Sequence, residues 1–207
     1  MPRPNIAAVV LAAGLSKRMG AFKPLLPLGG KALVVHVIET LKAVDEIQTI
    51  VVVTGHEERR LRAALQAAAV SCVHNAGYAA GEMLSSVQTG LRALPSDVEA
   101  VVLALGDQPA VQPETVRRLV RIWLEQRPPL ALPVFHGRRG HPVLLCMSLR
   151  PEILALPENA TLRTVVHRHL GEAVQIAVDD SAVIADVDTP EDYQRARRGG
   201  RVLSAEC

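Results

Sequence analysis

The sequence predicts one α/β domain built on a mostly parallel sheet with helices on both faces. Short apolar runs alternate along the chain with segments whose apolar residues recur at helical spacing, which is typical of βαβ units. Of the 207 residues, 49% are hydrophobic but only 2% are aromatic, so the core must be aliphatic. Aliphatic residues suit strands that are covered on both faces, and this length is enough to bury a substantial core.

The elements follow in order from these patterns. Apolar runs such as TIVVVT and AVVLAL predict buried strands over residues 6–13, 49–54, 70–74, 100–105, 130–135, 142–147, 173–178 and 182–187. Apolar residues three or four positions apart predict helices over residues 32–44, 57–69, 83–94, 113–126, 149–156 and 161–170, and a last helix that opens at 189–192. Pro113 and Pro190 suit the first turn of a helix, where a missing N–H costs nothing.

Composition and charge argue against several classes of protein. The formal net charge is +2 and no basic run is present, so nucleic-acid binding is not indicated. The three cysteines are far apart, which indicates neither a zinc site nor a disulfide framework and favours a cytoplasmic location. No apolar stretch approaches the ~20 residues of a membrane span. We expect one domain over residues 1–198 and a tail over 199–207, and no oligomeric state is indicated.

The loop after the first predicted strand combines small residues with cations. Ala12, Ala13 and Gly14 allow a ligand to approach the backbone, whose N–H groups can bind phosphate or a base. Three cations that could neutralise a triphosphate follow, namely Lys17, Arg18 and Lys23. From the residue types alone, an ordinary surface loop with solvated cations is an equal alternative.

Three carboxylates follow predicted strands. Asp107 comes directly after the strand at 100–105, and strand alternation puts Asp186 and Asp188 on one side of the last strand's end. Ligands of open α/β sheets bind beyond the carboxyl ends of the strands, and Mg²⁺ takes one or two protein carboxylates. The alternatives are a turn cap before Pro109 and the approach to a capped helix.

Two further loops carry polar groups. Asn75 and Gly81 belong to a glycine-containing loop that leads to Ser86, whose hydroxyl near a helix start could contact a base edge or simply cap the helix. Arg139 and His141 lie in the segment 137–142 and could meet an anionic substrate, although a turn with solvated arginines is an equal interpretation.

Taken in order, the motifs resemble the signature of the MobA-like nucleotidyltransferases. They are L-A-A-G-x-S-x-R-M-G-x-x-K at 11–23, G-D-Q-P at 106–109, G-H-P at 140–142 and D-V-D-T-P-E-D at 186–192. The set is most similar to the molybdenum cofactor cytidylyltransferase branch and spans almost the whole chain. The resemblance implies a Rossmann-like sheet of the GT-A type.

The resemblance also implies a reaction and its residues. CMP would pass from CTP to the phosphate of molybdopterin with release of pyrophosphate and with Mg²⁺ as cofactor. Arg18, Lys23 and Asp107 would be catalytic, and Asp107 and Asp188 would hold the metal, with Asp188 favoured over Asp186. The candidate nucleotide site comprises Leu11, Ala12, Ala13, Gly14, Ser16, Arg18, Lys23, Asn75, Gly81, Ser86 and Asp107. Arg139 and His141 are the candidate acceptor-binding residues.

Some alternatives stay open at this point. Ala12-Ala13-Gly14 replaces the L-A-G-G pattern of guanylyltransferase relatives, and residues 86–91 resemble the S-V-x-x-G-L run of methylerythritol cytidylyltransferases, so CTP is favoured over GTP. A sugar or alcohol phosphate could replace molybdopterin as acceptor. A nucleotide-binding chaperone without turnover, which inserts the cofactor into a molybdenum hydroxylase client, is a further alternative. With so few rings in the chain, we expect the base to be contacted by backbone groups and hydroxyls.

Overall fold

One eight-stranded sheet organises the computed structural model, which describes residues 4–79 and 83–198. Ten strands are present in these residues: β1 Ile6–Leu11, β2 Pro27–Leu28, β3 Lys31–Ala32, β4 Ile47–Thr54, β5 Ser71–His74, β6 Ala100–Leu105, β7 Leu130–Phe135, β8 Arg138–Arg139, β9 Val143–Cys146 and β10 Val174–Ala177. They alternate with seven α-helices: α1 Leu33–Lys42, α2 Glu58–Ala64, α3 Met83–Ala93, α4 Pro113–Gln126, α5 Arg150–Leu154, α6 Leu162–Arg168 and α7 Pro190–Arg198.

The sheet is mostly parallel. Its order is β10-β7-β9-β6-β1-β4-β5, with β8 paired to the end of β7, while β2 and β3 form a separate hairpin. The pairs β6–β1, β1–β4, β4–β5 and β7–β10 are parallel, and β9 runs antiparallel to both of its neighbours. The predicted fold class is therefore confirmed, with β9 as the antiparallel insertion.

Helices cover both faces of this sheet, as the aliphatic composition predicts. Along β1, Ile6, Ala8 and Val10 face the layer that contains α1, α2 and α4, while Ala7 and Val9 face the layer that contains α3, α5 and α6. All five side chains are fully buried. Because the central strands are covered on both faces, only their ends are open to a ligand.

The strand predicted over residues 182–187 is wrong. Ser181–Ile184 forms a short 3₁₀-helix, which begins where the Asp180 carboxylate accepts a hydrogen bond from the backbone N–H of Ala182 at 3.1 Å. The carbonyl of Val183 then accepts the N–H of His141 at 2.8 Å. These contacts hold the segment across the end of the sheet, so its apolar residues are buried without a strand partner.

Smaller differences lie at the edges of elements. The helix predicted over 57–69 divides into α2 and a 3₁₀-helix at Gln66–Ala68, and the sequence did not indicate the β2–β3 hairpin, the 3₁₀-helix Lys23–Leu25 or β8. Gly81 and the predicted tail at 199–207 lie outside the described residues. No helix in the described ranges is long and apolar enough to cross a membrane.

We predict that Gly90→Ala lowers the free energy of unfolding by about 1–2 kcal/mol. A Cβ at Gly90 would lie 2.5 Å from Cγ1 of Val9 and 3.0 Å from Cγ2 of Val53, because α3 packs directly on β1 and β4. Overpacking costs about 1–3 kcal/mol, and a contact as short as 2.5 Å lies in the upper part of that range, whereas the better helix propensity of alanine returns about 1 kcal/mol. Urea denaturation measures the difference.

Gly171→Ala is the matched control, because a Cβ there meets no atom within 4 Å. It should change the free energy of unfolding by less than about 0.5 kcal/mol. Equal stability of the two variants would contradict the close packing of α3 on the sheet.

Candidate active site

A pocket of about 410 Å³ opens at the carboxyl ends of the two central strands, β1 and β6. The chain continues from β1 towards β4 and β5 on one side, whereas β6 leads to β9, β7 and β10 on the other, and open α/β sheets bind ligands at such a switch in strand order. The lining residues come from the loops beyond these strands and from α3: Leu11, Ala12, Ala13, Gly14, Ser16, Lys17, Arg18, Lys23, Pro24, Tyr78, Met83, Ser86, Leu105, Asp107, Asp186 and Asp188.

The loop after β1 is held by backbone hydrogen bonds on its β4 side. The N–H of Ala12 donates to Val53 O at 3.0 Å, and the carbonyl of Ala13 accepts the N–H of His56 at 3.1 Å. Within the described residues, the N–H groups of Ala13 and Gly14 have no backbone acceptor. They are therefore among the backbone donors that this loop can offer to a ligand.

Ser16 fixes the second half of the loop. Its backbone has a φ of 54°, and its hydroxyl accepts a hydrogen bond from the backbone N–H of Lys23 at 3.0 Å. Lys23 then begins the 3₁₀-helix Lys23–Leu25. The Ser16 hydroxyl therefore fixes the position of the Lys23 backbone, from which the Lys23 side chain extends into the pocket.

The Lys23 ammonium lies between two carboxylates from distant parts of the chain. Its Nζ is 2.5 Å from Oδ2 of Asp107 and 2.8 Å from Oδ1 of Asp188. The Lys23 side chain is only 15% exposed, so water screens these ion pairs weakly. Arg18 contacts the other oxygen of Asp188 at 2.7 Å, but its own side chain is 72% exposed.

The charges shift one another's pKa values. Burial alone would lower the pKa of Lys23, but Asp107 and then Asp188 outweigh it and raise that pKa above its usual value. The hydrogen bond from Lys23, together with the charges of Lys23 and Arg18, lowers the pKa of Asp188 against the effect of burial. Both shifts favour the charged forms of Lys23 and Asp188, which form an ion pair at neutral pH.

The turn before α7 orients Asp188. The Asp192 carboxylate accepts hydrogen bonds from the backbone N–H of Asp188 at 3.1 Å and of Thr189 at 2.8 Å, and the Thr189 hydroxyl accepts the N–H of Asp192 at 3.2 Å. This is a reciprocal helix cap of the kind that the T-P-E-D sequence predicts. In addition, the N–H of Val187 donates to the carbonyl of Asp107 at 3.2 Å, which ties the two acidic turns together.

Asp186 lines the same pocket but has a different partner. Its Oδ1 accepts a hydrogen bond from Nε2 of Gln108 at 2.7 Å. Burial, followed by the nearby charge of Asp107, raises the pKa of Asp186. The carboxylate form is therefore less favoured at Asp186 than at Asp188, whose pKa is lowered. The strand alternation that placed both acids on one side is absent, and the backbone turn before α7 brings them to the pocket instead.

The opposite end of the pocket is less polar. Ser86, on the buried side of α3, accepts a hydrogen bond from Nδ2 of Asn75 at 3.0 Å, and Asn75 itself is buried. Asn75 therefore orients Ser86 from behind the lining. Tyr78 and the half-exposed Met83 complete this end, and neither was among the residues that the sequence indicated. The only signal for Tyr78 was a rare aromatic residue in the glycine-containing loop after β5.

Two predicted acceptor residues lie outside the pocket lining. Arg139 is exposed, and its Nε donates to Oε1 of Gln175 on β10 at 3.2 Å. His141 follows β8 beside Asp107, where burial lowers the pKa of the imidazole against the opposing effect of the Asp107 charge. The structure thus groups the nucleotide and metal candidates more closely than the acceptor candidates.

The carboxylates suit a divalent metal that completes its coordination from a ligand. The described residues contain no group of three or more His, Cys, Asp or Glu side chains arranged to hold a metal alone. Asp107 and Asp188 already converge on one cation, the Lys23 ammonium, and two carboxylates with phosphate oxygens and water are a usual set for Mg²⁺. The donor set therefore fits Mg²⁺ bound together with a phosphorylated ligand.

Cations and carboxylates opposed at the end of central parallel strands define a nucleotidyltransferase-type α/β site. Comparison with known proteins agrees, since the family model of the MobA-like NTP transferase domain matches residues 8–174. The chain therefore belongs to the MobA-like nucleotidyltransferase family and is an enzyme of that type.

Several relatives match over nearly their whole length. Molybdenum cofactor cytidylyltransferase of Escherichia coli is 29% identical, covering 93% of this chain and 95% of that protein. Nicotine blue oxidoreductase of Paenarthrobacter nicotinovorans is 30% identical, covering 93% and 96%. The structure of Rv0371c from Mycobacterium tuberculosis is 27% identical with a TM-score of 0.82, covering 95% and 99%, and that protein has also been solved with manganese. The names of these relatives differ, so similarity alone does not identify the substrates of this chain.

We predict that Lys23→Met lowers the free energy of unfolding of the metal-free protein by about 1–3 kcal/mol. The variant leaves Asp107 and Asp188 facing each other without their shared cation, which costs less here than in a fully buried pair. Chemical denaturation in the presence of EDTA measures the loss.

Lys17→Met is the matched control, because Lys17 lines the same pocket but is exposed. It should shift the free energy of unfolding by less than about 0.5 kcal/mol. If both variants were as stable as the wild type, the Lys23 ion pairs would not hold the metal-free site together.

Proposed function

We propose that this enzyme transfers CMP from CTP to the terminal phosphate of molybdopterin, releasing pyrophosphate, with Mg²⁺ as cofactor. One observation carries the proposal: Arg18 and Lys23 meet Asp107 and Asp188 at one end of a pocket whose other end is weakly polar. A nucleoside triphosphate has the same division between a charged tail and a base. We place the reaction in the cytoplasm, as the cysteine usage predicts.

The pocket supports one orientation of the nucleotide. The triphosphate would lie against Lys17, Arg18 and Lys23, and the backbone N–H groups of Ala13 and Gly14 would meet the nucleoside. The base would then reach Ser86, whose hydroxyl Asn75 orients. This assignment is consistent with the name of the E. coli relative, a cytidylyltransferase.

The chemistry is substitution at the α-phosphorus of CTP. An oxygen of the acceptor phosphate forms a bond to that phosphorus, and the bond to the bridging oxygen of the pyrophosphate breaks. A phosphate is already ionised at neutral pH, so the nucleophile needs no general base, and the protein's work is positioning and charge neutralisation. Arg18 and Lys23 would stabilise the charge that develops on the leaving pyrophosphate.

Asp107 and Asp188 would hold Mg²⁺ in this proposal. The bound ion would supply Lewis-acid activation of the phosphate and orientation of the attacking oxygen. The chain contributes carboxylates at fixed positions, because the backbone of Val187 and the helix cap at Thr189 fix the turn that carries Asp188.

We predict that Asp107→Ala reduces pyrophosphate release at least about 100-fold while the protein stays folded. Loss of one preorganised electrostatic contact typically costs that much in rate. Continuous pyrophosphate detection with CTP, Mg²⁺ and molybdopterin measures the rate, and circular dichroism confirms the fold.

Asp45→Ala is the control, since Asp45 is exposed in the loop after α1. It should retain wild-type turnover. Near-normal turnover of Asp107→Ala would remove Asp107 from the catalytic site.

The substrates are tested by a panel on the wild-type enzyme. We expect pyrophosphate release with CTP and molybdopterin to exceed that with GTP, or with a sugar phosphate or alcohol phosphate as acceptor, by at least about tenfold. Faster turnover with another pair would reassign the substrates within the same reaction class. Tight CTP binding with no release from any acceptor in the panel would favour the cofactor-insertion chaperone.

A further inference from the structure

Tyr78 is the one aromatic side chain among the described residues that line the pocket. It follows β5 and lines the pocket together with Met83 and Ser86, whereas Asp107 follows β6 on the other side of β1. The chain has only five aromatic residues in all, and one of them lines this pocket. Tyr78 packs in part against the core layer that contains α3, and because it is only partly buried it also lines the pocket.

The Tyr78 side chain packs directly against the backbone of Gly55. A Cβ at Gly55 would lie 2.6 Å from Cβ and 2.7 Å from Cγ of Tyr78, and the same point is 2.7 Å from the carbonyl oxygen of Ala13. The root of the ring therefore rests directly on the backbone after β4, beside the loop that follows β1. Any side chain at position 55 would have to displace the ring or the loop.

Neighbouring rings restrict the orientation of Tyr78 further. The imidazole of His74 lies 6.1 Å from the Tyr78 ring in an edge-on arrangement, and the imidazole of His56 lies 6.3 Å away in a tilted one. The backbone N–H of Tyr78 donates to the carbonyl of Asn75 at 3.2 Å. The ring is thus flanked by the loop after β4 and the end of β5 before any ligand arrives, and preorganisation of this kind lowers the cost of binding.

Met83 adds a second apolar surface at this end. It is 48% exposed, the one exposed large hydrophobic side chain of the described residues, and it also lines the pocket. A flat, weakly polar group bound here would cover both side chains. Bases stack on aromatic side chains with little dependence on their identity, because every base has a π-face.

We propose that Tyr78 is the stacking platform for the nucleobase and that Gly55 is its positioning residue. The inference rests on the proposed function, in that a nucleotide occupies this pocket. It divides recognition into two parts: Tyr78 provides affinity for any base, whereas the Ser86 hydroxyl, oriented by Asn75, selects among bases.

The test compares a complete nucleotide with a probe that has no base. Isothermal titration calorimetry would measure the binding of CTP, GTP and inorganic tripolyphosphate, each with Mg²⁺, to the wild type, Tyr78→Leu and Tyr78→Phe. We expect Tyr78→Leu to weaken both nucleotides about tenfold and tripolyphosphate less than about twofold. Tyr78→Phe should bind CTP within about twofold of the wild type, since it keeps the ring.

Two results would overturn the assignment of Tyr78. One is a Tyr78→Leu variant that binds CTP as tightly as the wild type does. The other is an equal loss of CTP and tripolyphosphate affinity, which would indicate a structural role for the side chain. The proposed function is contradicted by a separate result, namely that the wild type binds CTP no more tightly than it binds tripolyphosphate.

Gly55→Ala tests the positioning role, with Gly171→Ala as the matched control. We expect Gly55→Ala to raise the KM for CTP about tenfold and to leave kcat within about threefold, because the displaced ring belongs to the loop after β5, whereas the charged groups proposed to hold the phosphates follow β1 and β6. The control should change neither constant. A Gly55→Ala variant with an unchanged KM, or with tripolyphosphate affinity reduced as much as CTP affinity, would contradict the positioning role.

Discussion

The ammonium group of Lys23 joins the three segments of the candidate active site. It contacts Asp107 and Asp188, which are 84 and 165 residues away along the chain. The loop after β1, the turn after β6 and the turn before α7 therefore converge on one partly buried cation. Each of these turns has its own support, but the charges decide that they meet, since two carboxylates at this distance would repel each other without a shared positive charge.

Close backbone contacts allow this convergence. Gly106 follows β6, and a Cβ added at this position would lie 3.0 Å from the carbonyl oxygen of Leu11. Because glycine has no Cβ, the acidic turn can approach the loop after β1 this closely. Gly140 packs still more tightly against Val183, with 2.2 Å between an added Cβ and the Val183 carbonyl oxygen. That contact brings the 3₁₀-helix Ser181–Ile184, and hence Asp186 and Asp188, across the end of the sheet. A side chain at Gly140 would force one of the two backbones apart, whereas a side chain at Gly106 would require a shift of a few tenths of an ångström.

Local patterns in the sequence were sufficient for most of the fold, and they singled out the charged residues that the structure brings together at the pocket. The apolar runs at β1, β4 and β6 predicted buried strands because aliphatic residues on both faces of a strand require two covering layers. The general rule that ligands bind beyond strand ends then singled out the loop with Lys23 and the turn with Asp107. Residues 182–187 were mistaken for a strand, because an apolar run shows that a segment is buried but does not show which partner covers it.

The sequence by itself determined the α/β class, the order of the strands and helices, and the set of cations and carboxylates in the loops. Periodicity and residue type carry that information locally. Only the tertiary structure decided the pairing of Lys23 with Asp107 and Asp188, the contact of Arg139 with Gln175, and the place of Tyr78 on Gly55. These depend on the distances between segments far apart in the chain, which packing of the two helical layers on the sheet sets and which no local pattern contains.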